Sequence, residues 1–316
     1  MTAATAPGAP GPADAGGAAD EPSRNPWDRW WFAPVPRARI AWLRILGYVF
    51  LPFDMLLLTS STLAHARVPA DLYQPVLLGR ILHLPAPTVW SMYTLLAVTL
   101  AAALVAATGR ILPRVTGYVA ACGYLWWVTI SMSYGKVDHD HLALVVALFV
   151  LPGVGRARIG DTARCEASGW SVRCVQLGVV AAYFLSMWAK VRIGGFPDWP
   201  NGSTVQWALS RRGTGLGRKL IEYGPVLKVS QWIMFAAEAI SPALLFLRGR
   251  PLYLLVLFFA GFHAVTYLLM TIHFLPHAIW LAAFLPLERL GELTRGRWRR
   301  PSRVAAGQPE REPLPS

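Results

Sequence analysis

Apolar segments alternate with short stretches rich in charge, glycine and proline along most of the chain. The segments occupy residues 40–63, 88–107, 115–134, 141–152, 172–190, 229–247, 252–270 and 275–287. A bilayer core needs about 20 apolar residues per helix. The pattern therefore predicts an all-α, polytopic membrane protein with about eight transmembrane helices. The segments at 141–152 and 275–287 are short, and we expect the polar residues that extend them to face a protein cavity.

Charged residues set the expected orientation of these helices. Lys and Arg cluster in the loops that lie on the same side as both termini, for example at Arg110, Arg114, Arg156 and Arg158. Because such loops stay in the cytoplasm, we expect both termini to be cytoplasmic in a multi-pass protein of the cell membrane. The formal net charge of +13 comes from these loops rather than from one basic face. We therefore expect the lipid bilayer as a partner and no nucleic acid.

Composition divides the chain into a membrane domain and two tails. The hydrophobic fraction of 54% and the charged fraction of 15% exclude an ordinary soluble domain, in which about a quarter of residues are charged. Residues 1–26 are rich in Ala, Gly and Pro, and residues 291–316 are basic and then Pro-rich. We expect both tails to be disordered, with a transmembrane domain over residues 27–290.

Several polar residues fall at the ends or in the middle of apolar segments, where they are costly and usually mark a partner or a site. His139, Asp140 and His141 open the fourth segment, and His263 lies near the middle of the seventh. Helix capping accounts for an aspartate at this place but not for two histidines. The alternative for His263 is a structural histidine that shares a helix face with Tyr267.

Lys190 ends the fifth apolar segment, within the stretch YFLSMWAKVRIGGFPDWPNG. One interpretation is snorkelling, in which the amine extends to the headgroup layer. The other is a catalytic amine in a desolvated pocket, for which Trp188 and Phe196 could supply the walls. The residues alone leave both interpretations open.

Other polar residues in the apolar segments have structural or metal-binding interpretations. We expect Glu238 and Arg44, two charges in different segments, to pair with each other. His273 and His277 have the i,i+4 spacing that can hold copper or zinc. Pro276 disfavours a regular helix just before it, so we expect no metal and keep a metal site as an alternative.

Four stretches, in this order, resemble the membrane portion of the vitamin K-dependent γ-glutamyl carboxylase family, which also defines the horizontally transferred transmembrane (HTTM) domain. They are APVPRARIAWLRILGYVF, DHDHLAL, YFLSMWAKV followed by DWPNG, and GFHAVTYLL followed by FLP. Together they extend over residues 34–286. Each stretch is short, and it is their shared order and spacing that carries the resemblance.

The resemblance implies a mechanism and a site. In that family a lysine amine deprotonates a reduced quinone, vitamin K hydroquinone, whose anion reacts with oxygen to form a strong base. Lys190 matches the position of the catalytic lysine, and His141 and His263 match two histidines of the family's motifs. The implied cofactor is a reduced quinone of the vitamin K or menaquinol type. The pocket is expected at the outer membrane face and to include His139, Asp140, Trp188, Trp199 and Tyr267.

Other functions stay open at this point. The family's large lumenal C-terminal domain has no counterpart after the last apolar segment, so an enzyme that uses the same lysine on another quinone or lipid fits equally well. A non-enzymatic partner of a secreted or membrane polypeptide, of an export or immunity type, is a second class. A His-rich metal-binding membrane protein is the third.

Overall fold

The computed structural model describes residues 25–291, and the chain is mostly helical. The two predicted tails, residues 1–26 and 291–316, lie almost wholly outside the described residues. The α-helices are α1 Pro26–Trp31, α2 Arg37–Phe53, α3 Leu77–Ile81, α4 Val89–Thr108, α5 Pro113–Ser131, α6 Leu142–Val150, α7 Glu166–Gly194, α8 Ser203–Arg212, α9 Gly215–Lys219, α10 Gly224–Ile240, α11 Arg250–Met270 and α12 Leu275–Ala278.

Tighter or wider helical turns extend several of these helices. One π-helical turn, Asp54–Leu58, continues α2. The 3₁₀ segments are Ser60–Arg67, Ala70–Leu72, Met132–Tyr134, His139–His141, Leu151–Val154, Leu220–Glu222, Ser241–Leu245 and Ile279–Phe284. Two short strands, β1 Val35–Pro36 and β2 Arg164–Cys165, pair antiparallel and join the start of α2 to the start of α7.

Each predicted apolar segment is largely helical, and the lengths of the helices differ widely. Within the described residues, four helices are long and apolar enough to cross a membrane, namely Arg37–Leu58, Val89–Thr108, Glu166–Gly194 and Arg250–Met270. They characterise the chain as a helical membrane protein. The two segments predicted to be short are short: α6 has 9 residues and α12 has 4, and each continues into a 3₁₀ segment.

The core forms where α2, α4, α5, α6 and α7 pack together, and the last apolar segment closes it. Trp280, on the 3₁₀ turn that follows α12, is fully buried. Its ring lies against Gly47 of α2, where a β-carbon would come within 2.8 Å of the ring. The absence of a side chain at Gly47 therefore allows the last segment to pack closely against the first.

Arg44 of α2 has backbone partners instead of the acidic partner that we predicted. Its buried guanidinium donates to the carbonyl of Gly155 and, at 3.5 Å, to the carbonyl of Leu151. These carbonyls lie at the end of the fourth apolar segment, and the carbonyl end of a helix attracts positive charge. The predicted pair between Arg44 and Glu238 is therefore wrong, because helix packing brings a helix end to Arg44.

The segment between α7 and α10 forms a roof over the space that α7, α10 and α11 enclose. This segment contains α8, and α9 follows α8 after a short turn. The roof is tied to the end of α11, because the backbone N–H of Thr214 donates to the carbonyl of Leu269 at 2.9 Å. The hydroxyl of Thr214 also donates to the carbonyl of Leu268.

Candidate functional site

A cavity of about 790 Å³ lies beneath this roof, bounded by α7, α10 and α11. Its volume falls in the range of sites for small organic molecules, about 300–1,000 Å³. Most of the wall is apolar. The polar and titratable residues of the wall include Lys190, Glu238, Ser186, Tyr183, His263, His277, His139 and Asp140.

Lys190 forms an ion pair with Glu238 on the wall of this cavity. The two side chains are only 18% and 9% exposed, and the Lys190 amine also donates to the hydroxyl of Ser186 at 3.1 Å. The amine lies 5.0 Å from the centre of the Trp199 ring, close enough for a cation–π contact. Lys190 is thus held within the protein by α10 and the loop after α7, rather than extended away from it as snorkelling requires.

The pairing changes what Lys190 can do chemically. In the ion pair Lys190 is a hydrogen-bond donor, and an ammonium group has no free lone pair to accept a proton. The pair as a whole is neutral, and it presents carboxylate oxygens as acceptors beside ammonium hydrogens as donors. It is therefore suited to a ligand hydroxyl that both donates and accepts a hydrogen bond.

A second polar group, formed by Tyr183, His263 and His277, lies on the same wall. The Tyr183 hydroxyl and Nε2 of His263 are 2.6 Å apart, and the rings of His263 and His277 lie 5.7 Å apart. No described residue bonds Nδ1 of His263 or either ring nitrogen of His277. Buried polar atoms without a partner cost free energy, so these two histidines are polar groups left unsatisfied beside the cavity.

His141 lies apart from Lys190 and His263, in a smaller neighbouring cavity of about 260 Å³. Its Nδ1 is 2.8 Å from the hydroxyl of Tyr124, which donates to the carboxylate of Asp54 at 2.8 Å. Because that hydroxyl has a single proton, Nδ1 of His141 must be the donor to the Tyr124 oxygen. Of the three predicted catalytic residues, the structure therefore brings together Lys190 and His263 but not His141.

His139 and Asp140 line both cavities and form part of the wall between them. Asp140 lies in the 3₁₀ turn before α6, outside the four long helices. Burial raises the pKa of Asp140 to about 6, and the nearby charge of Asp138 adds to the effect. The Asp140 carboxyl therefore changes its charge not far below neutral pH.

The other predicted pocket residues have different positions. Trp199, Trp188 and Tyr267 line neither cavity. Trp199 contacts the Lys190 amine, as described above, whereas Trp188 and Tyr267 are exposed. The aromatic side chains of α7 and α11 turn outward at these two positions. Helical spacing alone did not reveal this, because the face that borders the cavity is set by the packing of α7 against α10.

The alternative of a metal site at His273 and His277 gains no support from their positions. His273 borders the smaller cavity and His277 the larger one, because α12 begins only at Leu275 and the two residues share no helix face. Among the described residues, no group of three or more His, Cys, Asp or Glu side chains is placed to hold a metal ion.

The hydrogen bonds of Tyr124 predict a difference between two buried tyrosines. Tyr124→Phe is expected to lower the free energy of unfolding by about 1–3 kcal/mol, because buried Asp54 and His141 lose a partner. Tyr48→Phe is the matched control. Its buried hydroxyl bonds no described residue, so the expected change is below about 0.5 kcal/mol. Unfolding titrations in sodium dodecyl sulfate measure both, and equal effects would contradict the assigned hydrogen bonds.

The fold and the site define a class, a helical membrane protein with a largely apolar cavity that contains a buried ion pair. Comparison with known proteins adds no closer relationship. No family model matches the chain, and neither a search of curated proteins nor a search of solved structures gave a significant match.

Proposed function

We propose that the chain is a multi-pass protein of the cell membrane whose larger cavity binds a reduced quinone, or a closely similar hydroxylated lipid, and removes a proton from it. The observation that carries the proposal is the Lys190–Glu238 ion pair on the wall of a largely apolar cavity. The apolar walls can contact the ring and hydrocarbon tail of a quinone from the membrane, and the ion pair can form hydrogen bonds with its hydroxyl group. The proposed membrane arrangement has about eight helices of the HTTM type and cytoplasmic termini.

The ion pair supports a proton transfer without a change in buried charge. A ligand hydroxyl gives its proton to the Glu238 carboxylate, and the resulting oxyanion takes the place of that carboxylate beside the Lys190 ammonium. The net charge of the cavity is the same before and after the step. This matters because an unpaired charge is costly to bury. In this proposal Glu238 is the base, and Lys190 stabilises the anion electrostatically.

Tyr183 and His263 are proposed to bind the second oxygen of the ligand. Their 2.6 Å hydrogen bond fixes both side chains on the cavity wall, so the Tyr183–His263 pair is available as a polar partner for the ligand. Reaction of the quinol anion with oxygen, as in the vitamin K-dependent carboxylases, belongs to the same proposal and rests on the sequence resemblance. His141, in the smaller cavity, is not proposed to touch the ligand.

The test compares two double variants that each remove one ion pair. Lys190→Met with Glu238→Met removes the pair in the cavity and leaves no unpaired charge. Arg39→Met with Glu288→Met removes a pair that joins α2 to the end of the last segment and borders neither cavity. Menadiol, a naphthohydroquinone without a tail, is titrated into each protein in nanodiscs under anaerobic conditions.

Quenching of tryptophan fluorescence reports binding, since Trp199 lies beside Lys190. Wild type and the Arg39/Glu288 variant are expected to bind menadiol with the same affinity. The Lys190/Glu238 variant is expected to bind at least about tenfold more weakly, which corresponds to about 1.4 kcal/mol. It is also expected to lose the red-shifted absorbance of the bound menadiol anion. Equal affinity in all three proteins, or no binding by wild type, would reject the proposal.

A further inference from the structure

One side of the larger cavity is bounded by α10 and α11, which scarcely pack against each other. Ile233 of α10 and Val265 of α11 both line this cavity, and each is 52% exposed. Because α10 and α11 scarcely contact each other, these two side chains border a gap between the helices rather than a sealed wall. The cavity is therefore open sideways between these two helices.

Gly261 of α11 leaves this opening unobstructed. It lines the cavity, and a β-carbon at this position would meet no atom within 4 Å. Glycine within a helix costs about 1 kcal/mol relative to alanine, so the residue does not serve helix stability. Ile233 lies nine residues from the roof-side end of α10, and Gly261 lies nine residues from the roof-side end of α11. The opening is thus well below the roof.

The roof closes the cavity on its other side. Leu209 of α8 is buried and lines the cavity from above. The hydrogen bonds of Thr214 to the carbonyls of Leu268 and Leu269 tie the roof to α11. A ligand that enters from water would have to displace this roof, whereas the gap between α10 and α11 is bordered by apolar side chains. Apolar borders favour contact with hydrocarbon over water.

We propose that the gap between α10 and α11 is a lateral opening to the bilayer that holds the apolar tail of the ligand. This inference rests on the proposed function, since it places the polar head of that ligand at the Lys190–Glu238 pair. The ligand class becomes narrower as a result. It is an amphipathic molecule with one hydroxylated ring and a long hydrocarbon tail, rather than a water-soluble phenol.

The experiment fills the gap with a tryptophan and compares two ligands that share a head. Gly261→Trp places an indole in the opening. Leu257→Trp is the matched control, because Leu257 is exposed on the same helix and does not line the cavity. The ligands are menadiol and the same naphthohydroquinone with a long isoprenoid tail. Gly261→Trp is expected to weaken binding of the tailed ligand at least about tenfold and to leave menadiol unchanged, while Leu257→Trp changes neither.

Two results with these ligands would contradict the proposed lateral opening. Unchanged affinity for the tailed ligand in Gly261→Trp would show that the tail lies elsewhere. An equal loss for both ligands would show that the indole disturbs the head site. If wild type binds neither ligand, the proposed function fails, and a fatty alcohol with a photoreactive diazirine at its tail end tests the opening alone. Labelling of α10 and α11 that Gly261→Trp abolishes supports the opening, and equal labelling rejects it.

Discussion

Glu238→Gln is expected to lower the free energy of unfolding by about 3 kcal/mol or more. The substitution removes the carboxylate that pairs with Lys190, whose side chain is largely buried. Breaking a buried ion pair from one side costs about 3–5 kcal/mol, because it leaves an uncompensated charge. Unfolding titrations in sodium dodecyl sulfate, compared with wild type in the same detergent, give the value.

The double variant Lys190→Met with Glu238→Met separates this effect from a simple loss of packing. Replacement of both charges by apolar side chains of similar length is often neutral for stability, so most of the loss is expected to be recovered. Asp138→Asn is the control, because Asp138 pairs with the exposed amine of Lys136. Exposed pairs contribute about 0–1 kcal/mol. If Glu238→Gln costs no more than Asp138→Asn, the Lys190–Glu238 pair is not formed in the folded protein.

Trp280→Ala is expected to have a similarly large effect, a loss of about 3–5 kcal/mol in the free energy of unfolding. Removing a large buried ring loses the free energy gained by its burial, and it leaves a cavity that the surrounding side chains fill only in part. Trp280 is fully buried against Gly47, so the loss reports the packing of the last apolar segment on α2. The same detergent titration measures it.

Trp90→Ala provides the control for this substitution. Trp90 is 82% exposed near the start of α4, and exposed substitutions usually change stability by less than about 0.5 kcal/mol. A loss for Trp280→Ala that is no larger than the loss for Trp90→Ala would contradict the described packing. It would place the last segment outside the core.

The helical segments could be predicted from the sequence because the forces that define them are local. Runs of apolar residues form helices where lipid or a protein core surrounds them, and short-range signals set their ends. Thr88 caps α4 through its side chain, and Gly109 ends the helix in the left-handed conformation. The same reasoning predicted that the seventh apolar segment begins at residue 252, and α11 begins at Arg250.

Partners of buried charges could not be predicted in this way, because they depend on how helices pack. Lys190 and Glu238 are far apart in sequence, and the Glu238 carboxylate could equally have paired with Arg44. Arg44 instead meets backbone carbonyls, a partner that every residue carries and that no sequence pattern marks. The presence of charged residues within apolar segments correctly indicated that these residues have partners.

The site was predicted in part for the same reason. His139 and Asp140 were expected at a cavity, and they line both cavities. Tyr183 was not singled out, although it precedes Lys190 by two helical turns and bonds His263. The sequence feature that could have identified Tyr183 is a hydroxyl two helical turns before Lys190, on the same face of a mainly apolar segment. The separation of His141 from Lys190 arises from the chain around Ile272 and Phe274, which lies between the two cavities.

The wall shared by the two cavities has a thermodynamic consequence. His139, Asp140, Ile272 and Phe274 border both spaces, so a molecule in one and a proton taken up in the other contact the same residues. Linkage between two such events is reciprocal. The factor by which protonation changes the affinity for the molecule equals the factor by which the molecule changes the affinity for the proton. The pH dependence of binding in one cavity and the effect of binding on proton uptake in the other therefore measure the same coupling free energy.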